Sequence, residues 1–441
     1  MITSRPLLLG CALAALLTSP ALAETIVVDA GKLFDGSRLI EDARMVVDGG
    51  RVVEVDRRAD VAVPAGARVL DHGRRFVMPG LIAVHSHVGG VSGTEHGGRF
   101  YSRETVERDL KQFADYGIVA VNALGMNRPL FHELRREFRD GRHENAADLY
   151  GAGPGVGAWD GSPPVATMGV EDDQVMRAAT PEEAREAVRR MAANGVDVIK
   201  GWVDDLGGKA PKMKPEIYRA AIEEAHAQGL KAAAHIHDLG DARGVVEAGV
   251  DILGHGVRDE EVDAAFVELL RDRGTWYVPT INIDEAEYVY AENPQWLNDA
   301  FFAKGGSTKL RAQISDADWR AKALSDAGDS RKAVEMNIRN LALLDSAGVK
   351  IAMGTDSGAT ALRIPGFAEH RELELMAKAG MSNLDILAAA TTGGAEMMGF
   401  EDRGRLVPGA RTDFVVLDGD PISDITATRS IHAVFHPAVE R

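Results

Sequence analysis

Residues 180–200 read Thr180-Pro181-Glu182-Glu183, then mixed charged and apolar positions to Asn194-Gly195, then Val196-Asp197-Val198-Ile199-Lys200. Thr180 is placed to cap a helix, Pro181 suits its first turn, and Glu183 completes a capping box. Asn194-Gly195 ends the helix, and the β-branched run that follows reads as a strand. The pattern then repeats. A second helix is predicted from Pro215 to Gln228, closed by Gly229, and Leu230-Lys231-Ala232-Ala233-Ala234-His235 is the next strand. Apolar strands alternating with amphipathic helices specify βα units and a parallel sheet.

Working outward, further strand segments are Phe76 to His85, Ile118 to Leu124, Asp148 to Ala152, Asp251 to His255, Trp276 to Thr280 and Lys350 to Asp356. With the two above, eight units predict an α/β (β/α)8 TIM barrel over residues 79–406. The chain ends differ. Thr25-Ile26-Val27-Val28, Arg44-Met45-Val46-Val47 and Arg51-Val52-Val53-Glu54-Val55 alternate around Gly49-Gly50, and Asp413 to Asp418 and Ile431 to Phe435 repeat the style. Residues 24–78 and 407–441 are therefore expected to form one small β-sandwich built from both chain ends.

The chain has 441 residues, 45% hydrophobic and 27% charged, enough for a substantial core. Its formal charge of −17, with no basic cluster, argues against nucleic acid as a partner. Arg5, the apolar run Leu7 to Leu17 and Ala21-Leu22-Ala23 read as a secretory signal over residues 1–23. Thr18-Ser19-Pro20 interrupts that run, so a transmembrane span is not expected. A periplasmic or secreted protein is the expectation. Cys11 is the only cysteine and sits in a segment resembling a lipobox, so a lipoprotein is the alternative. Thiolate catalysis and disulfides are excluded from the rest of the chain.

Polar, metal-competent residues close five of these strands: His85 and His87, Lys200, His235, His255 and Asp356. Residues i and i+2 project to one side of a strand, so His85 and His87 can reach one ion. In a (β/α)8 barrel the strand C-termini converge on one mouth, and the same placement on five strands makes independent accidents implausible. His237 repeats the i, i+2 arrangement with His235, and geometry alone leaves their roles interchangeable. His96, His132 and His143 fall in loop or helix surroundings and read as surface. The glycine-rich Gly151 to Gly157 lacks the continuation of a phosphate-binding loop and reads as a backbone turn. The excursion from Asn282 to about Glu335 carries Tyr288, Tyr290, Trp296, Phe301, Phe302 and Trp319; it is either a lid or a small core of its own.

The segment Pro79-Gly80-Leu81-Ile82-Ala83-Val84-His85-Ser86-His87, the strand-end Lys200, His235 and His255, and Gly354-Thr355-Asp356 resemble the amidohydrolase superfamily. Gly404 to Leu417 is similar to that family's return strand, so the resemblance covers nearly the whole chain. The nearest branch holds imidazolonepropionase-like proteins and metal-dependent Xaa-Pro dipeptidases. The resemblance implies two divalent ions, zinc being suited to imidazole ligands. His85, His87 and Asp356 would hold one and His235 and His255 the other, with a carboxylated Lys200 and a hydroxide between them. Asp356 would pass the water's proton to the leaving amine, and His237 would contact substrate or hold a hydrogen bond behind the ligands. The implied activity is hydrolysis of an amide bond in a dipeptide or N-acyl amino acid. Alternatives are a cyclic amide, a lactone or an amide-linked toxin such as ochratoxin, and a non-catalytic periplasmic binding protein on the same fold. A small-molecule amide is the expected partner, and assembly into a homo-oligomer is left open.

Overall fold

A computed structural model describes residues 25–143 and 145–436. The signal at residues 1–23, the lipobox Cys11 and the last five residues of the expected terminal domain lie outside the described residues. Among those described, no helix is long and apolar enough to cross a membrane.

Both chain ends meet in one sheet. Its strands run Ile431–Phe435, Phe414–Leu417, Arg68–Pro79, Ile26–Phe34, Leu39–Asp48 and Arg51–Arg57 in spatial order. Phe414 pairs with Pro79 in antiparallel register, whereas Ile26 pairs with Arg68 in parallel. Arg68–Pro79 is thus the seam between the ends. Val28, Met45, Val77, Val416 and Phe435 share its core, and the Phe414 and Phe435 rings stack at 4.2 Å. The six strands belong to a single mixed sheet, where the sequence suggested a sandwich.

Gly80 carries this sheet directly into the strand Leu81–Ser86. A Cβ there would lie 2.4 Å from Val119 Cγ1, so only glycine allows the two strands to pack so closely. Leu81–Ser86 pairs in parallel with Ile118–Ala123, which pairs with Asp148–Gly151. A second parallel sheet holds Met176–Ala178, Val156–Ala158, Val198–Trp202, Lys231–His235, Ile252–Leu253 and Trp276–Tyr277 in that order. Asp197 N donates to Gly151 O across the junction of the two sheets at 2.9 Å.

The last expected strand, Lys350 to Asp356, is reduced to two bridges, Tyr277 with Ile351 and Ser86 with Ser357, both parallel. Its backbone bonds to both flanking strands, with Tyr277 N donating to Lys350 O at 2.8 Å and Val84 N to Met353 O at 3.1 Å. Strand pairing is already interrupted after Ile351, and Asp356 then takes a positive φ of 59° just before the bridge at Ser357. Among the described residues four strands escaped the sequence reading, the paired Val91–Ser92 and Glu95–His96 and two more in the second sheet, Val156–Ala158 and Met176–Ala178, the former starting inside the glycine-rich stretch read as a turn. The latter two are three residues long, which leaves too little alternation to read.

The helices follow the sequence closely. Pro181–Ala193 begins with Thr180 and Glu183 in the predicted capping box, and buries Ala184, Ala187, Val188 and Met191. Pro215–Ala227 has proline in its first turn. The excursion after Thr280 consists of short helices, among them Asn282–Glu285, Ala300–Gly305, Thr308–Ser315 and Ala317–Asp326. Its aromatic residues join the main hydrophobic core and do not form a separate one. Trp296 and Phe302 pack on Phe367 at 5.0 and 5.1 Å, and Tyr290 donates its hydroxyl to Leu362 O.

Candidate active site

Parallel strands end on one side of a sheet, so side chains at their C-termini gather over one surface. His85 lies in the last turn of Leu81–Ser86, Lys200 in Val198–Trp202, and His235 ends Lys231–His235. His255 follows Ile252–Leu253, and Asp356 lies in the bridged segment. The ring of His255 is 4.6 Å from that of His85 and 4.3 Å from that of His235, and His87 is 5.8 Å from His85. His85, His255 and Asp356 present ligand atoms within 4.8 Å of one another. Lys200 Nζ stands 3.5 Å from His85 Nε2. A Cβ on Gly254 would meet that amine at 3.0 Å, so the strand carrying His255 approaches Lys200 only as glycine. All six strand-end residues expected to bind metal therefore converge.

The hydrogen bonds set the chemistry of the imidazoles. His85 Nδ1 donates to Gly254 O at 2.6 Å and His87 Nδ1 to Gly125 O at 3.1 Å. A carbonyl oxygen only accepts, so each Nδ1 carries the proton and each Nε2 presents a lone pair. Both Nε2 atoms face the same carboxylate oxygen, Asp356 Oδ1, at 3.2 and 2.9 Å. Two lone pairs and an anionic oxygen at such range repel unless a proton on Nε2 or a metal cation lies among them. This donor set fits a divalent ion. His235 Nε2 donates to Asp204 Oδ2 at 3.1 Å, which leaves its Nδ1 as the free acceptor, and His255 Nδ1 is hydrogen-bonded to the Thr280 hydroxyl at 2.9 Å.

Burial holds the rings of His85, His235 and His255 neutral. It lowers His85 to about 3, with the Lys200 ammonium adding to the effect, and it depresses His235 and, more strongly, His255. Burial likewise lowers Lys200 to about 7, against the attraction of Asp356. An amine with that proton affinity has a large unprotonated fraction at neutral pH, which is the form that adds carbon dioxide. Burial works against ionisation of Asp356, but hydrogen bonds from His85 and His87, made when a proton occupies Nε2, and the Arg363 guanidinium outweigh it and hold the carboxyl well below its usual range. Arg363 Nη1 donates to Asp356 Oδ2, so Oδ1 is the oxygen left facing the histidines.

The cluster floors a cavity of about 520 Å³. Trp202, Met126, Met168 and Ile283 form its apolar wall, and Asp204 and Arg258 stand among its polar groups. His237 lies on the rim, half-exposed, with Nδ1 donating to its neighbour Asp238 at 2.7 Å. It is His235 that lies ring to ring with His255. His96, His132 and His143 are half-buried instead of exposed. His143 stacks on Phe138 at 3.9 Å and His96 bonds to Thr167 O, so local packing accounts for both. The excursion lines the cavity through Ile283 and Asp329, while its aromatic residues point elsewhere. The sequence reading missed Asp204, Arg258, Thr280 and Arg363. Asp204 had a signal, four residues beyond Lys200 on the same strand-to-loop path; the other three follow strand ends by distances that no short motif marks.

The sequence profile of the amidohydrolase family matches residues 76–436. An uncharacterised protein of Mycobacterium tuberculosis is 28% identical over 345 residues, covering 76% of this chain and 78% of its own length. The ochratoxinase of Aspergillus niger is 29% identical over 265 residues, covering 58% of this chain and 48% of its own. Among solved structures, a Xaa-Pro dipeptidase with bound methionine aligns at a TM-score of 0.77 and 20% identity, covering 95% of this chain and 100% of that one. A. niger ochratoxinase aligns at 0.72 and 21%, covering 95% of each chain. Molinate hydrolase aligns at 0.75 and 19%, again covering 95% of each. At these identities the structural likeness establishes the fold, an α/β TIM-barrel type.

Proposed function

The chain belongs to the amidohydrolase family and is a hydrolase, which sets aside a non-catalytic binding protein; from that premise we propose that it cleaves the amide bond of a dipeptide or N-acyl amino acid at a two-metal centre. One observation carries this reading: the N–H groups of His85 and His87 are committed to carbonyls while their lone pairs converge on the Asp356 carboxylate. His85, His87 and Asp356 would hold one divalent ion, His235 and His255 the other, and a carboxylated Lys200 would contribute to both; zinc suits this donor set. Bound ions would supply Lewis acidity to the scissile carbonyl and to the attacking water.

The chain's own groups would do the rest. Asp356, anionic and gripped by Arg363 at one oxygen, is the group to accept the water's proton and deliver it to the leaving nitrogen. Arg258, buried on the cavity wall 3.2 Å from Asp284, offers a cation for a substrate carboxylate. Trp202, Met126, Met168 and Ile283 would accept an apolar side chain, and His237 at the rim would contact the substrate. The likeness to ochratoxinase favours a second reading, hydrolysis of an amide-linked toxin such as ochratoxin. The eight strand segments would close as one ring over residues 79–406, with residues 24–78 and 407–441 as the smaller terminal domain. Export through a signal at residues 1–23 would place the enzyme in the periplasm or outside the cell.

The test combines metal analysis with a panel of dipeptides, N-acyl amino acids, lactones and ochratoxin A. Hydrolysis is expected to vanish when a chelator strips the protein and to return with zinc, and Lys200→Ala is expected to lose both metal and turnover. Full turnover by verified metal-free protein would overturn the centre. Turnover of the toxin alone would select the second reading.

A further inference from the structure

The helix Phe367–Lys378 carries two glutamates one turn apart, Glu369 and Glu372, each with 0% exposure. Among the described residues neither has an ion-pair partner; every bond they accept comes from a neutral donor. Burying a carboxyl group without a countercharge is expensive, and burial raises the proton affinity of both, that of Glu372 to about 8; an amide or apolar residue would fill the same space more cheaply. Their partners show what the two carboxyl groups hold. Glu369 Oε1 accepts from the hydroxyls of Thr355 and Ser357, both at 2.6 Å, and from Ser86 at 3.3 Å, while Oε2 accepts from Gly366 N at 2.7 Å. Ser86 lies between His85 and His87, and Thr355 and Ser357 flank Asp356. Glu372 accepts from Ile281 N at 2.7 Å and Asn282 N at 2.8 Å, the two amides directly after Thr280, whose hydroxyl bonds to His255.

Backbone conformation adds an independent observation. Asp356 has φ 59° and Thr280 has φ 45°, a region that side chains disfavour and β-branched ones most of all. Such residues persist only where their surroundings over-determine them. The residues on both sides of Asp356 are tied to Glu369, and the two residues after Thr280 are tied to Glu372. We propose that Glu369 and Glu372 are positioning residues of the metal centre, Glu369 aiming Asp356 and the His85/His87 pair, and Glu372 aiming His255 through Thr280. One helix would thereby set the spacing between the two halves of the donor set. This inference rests on the two-metal reading above.

The two sites differ in how they tolerate glutamine. The hydroxyls around Glu369 can turn to accept from an amide, whereas Glu372 faces two backbone N–H groups and one of them would meet an NH₂. Cobalt-substituted Glu372→Gln is therefore expected to show an altered visible absorption spectrum and about 10- to 100-fold weaker metal binding in chelator competition, with kcat reduced more than KM. Glu369→Gln is expected to show the same changes at smaller amplitude. His436→Gln, destabilising but remote, serves as the stability control and is expected to keep the wild-type cobalt spectrum. If a glutamate variant does not fold, Ser357→Ala removes one tie to Glu369 and Thr280→Ser the β-branched strain; each is expected to shift the spectrum. Wild-type cobalt spectra and affinities in the glutamine variants, or in these two replacements, would overturn the positioning role. Absence of cobalt binding by the wild type would instead overturn the metal centre itself.

Discussion

Two buried clusters in this molecule are built from the same residue types and hold protons in opposite ways. At the strand ends, His85, His235 and His255 are kept neutral by burial, with Lys200 and the neighbouring rings disfavouring a further charge. At the junction with the terminal sheet, His436 lies between two carboxylates, with Nδ1 donating to Asp413 at 2.8 Å and Nε2 3.4 Å from Asp148. Burial lowers its proton affinity too, but the bonds to Asp148 and Asp413 outweigh it and the pKa rises. Arg403 and Arg411 complete that network on Asp148, at 2.8 and 3.3 Å. A carboxylate faces Nε2 in both clusters, so the difference is what faces Nδ1. Carbonyls take one N–H from His85 and from His87 and leave a lone pair for a cation; carboxylates on both sides make His436 the cation. One cluster is prepared to receive a positive charge, and the other already contains its own.

The strongest test removes one aspartate from each. Asp356→Asn is expected to lower hydrolysis on the order of 10³-fold with the fold intact by circular dichroism, since the group removed is the proton acceptor. Asp148→Asn is expected to do the reverse, leaving kcat per folded molecule near wild type while lowering stability by about 3–5 kcal/mol in urea denaturation, because Arg403 and Arg411 lose their shared anion. If Asp148→Asn abolished activity without unfolding, the separation between the clusters would fail.

Acidity should act on the two clusters with opposite sign. In metal-free protein, the folded pKa of His85 near 3 lies below its unfolded value of about 6.5, so the unfolded state binds more protons between them. Stability is therefore lost as pH falls through that window. The raised His436 contributes stability that is fully present below about 6.5 and lost as pH rises through its folded pKa. Denaturation midpoints across pH 4 to 9 should show the acid loss softened in His255→Phe and the alkaline loss softened in His436→Gln. A smaller reference effect lies outside both clusters. Thr180→Ala removes the helix cap and is expected to cost about 1 kcal/mol with unchanged turnover.

How much of this could be read in advance depends on distance along the chain. The capping box of Thr180 and Glu183, the i, i+2 spacing of His85 and His87, and the strands ending at His235 and beside His255 are local patterns, and each has its place in the fold. The segment Lys350 to Asp356 looked like a full strand because most of it is apolar, yet in the fold it meets its neighbours only through bridges and single backbone hydrogen bonds. The aromatic residues after Asn282 were equally compatible with a lid or a small core of their own, and their packing on Phe367 makes them part of the main core instead. His436 and Asp148 carried no motif; they meet across residues from opposite parts of the chain.

The amino-acid sequence by itself determined the alternation of strands and helices and the identity of the groups at the strand ends, because helix period, strand period and caps are properties of neighbouring residues. Tertiary structure alone decided which nitrogen of each ring carries its proton, which carboxylate is gripped by Arg363, and which glutamates sit behind the site. His85 takes its tautomer from the carbonyl of Gly254, 169 residues away, and Ser86 meets Glu369 across 283. A hydrogen bond is directional and short, so its partners are set by where the folded backbone places them and not by their order in the chain.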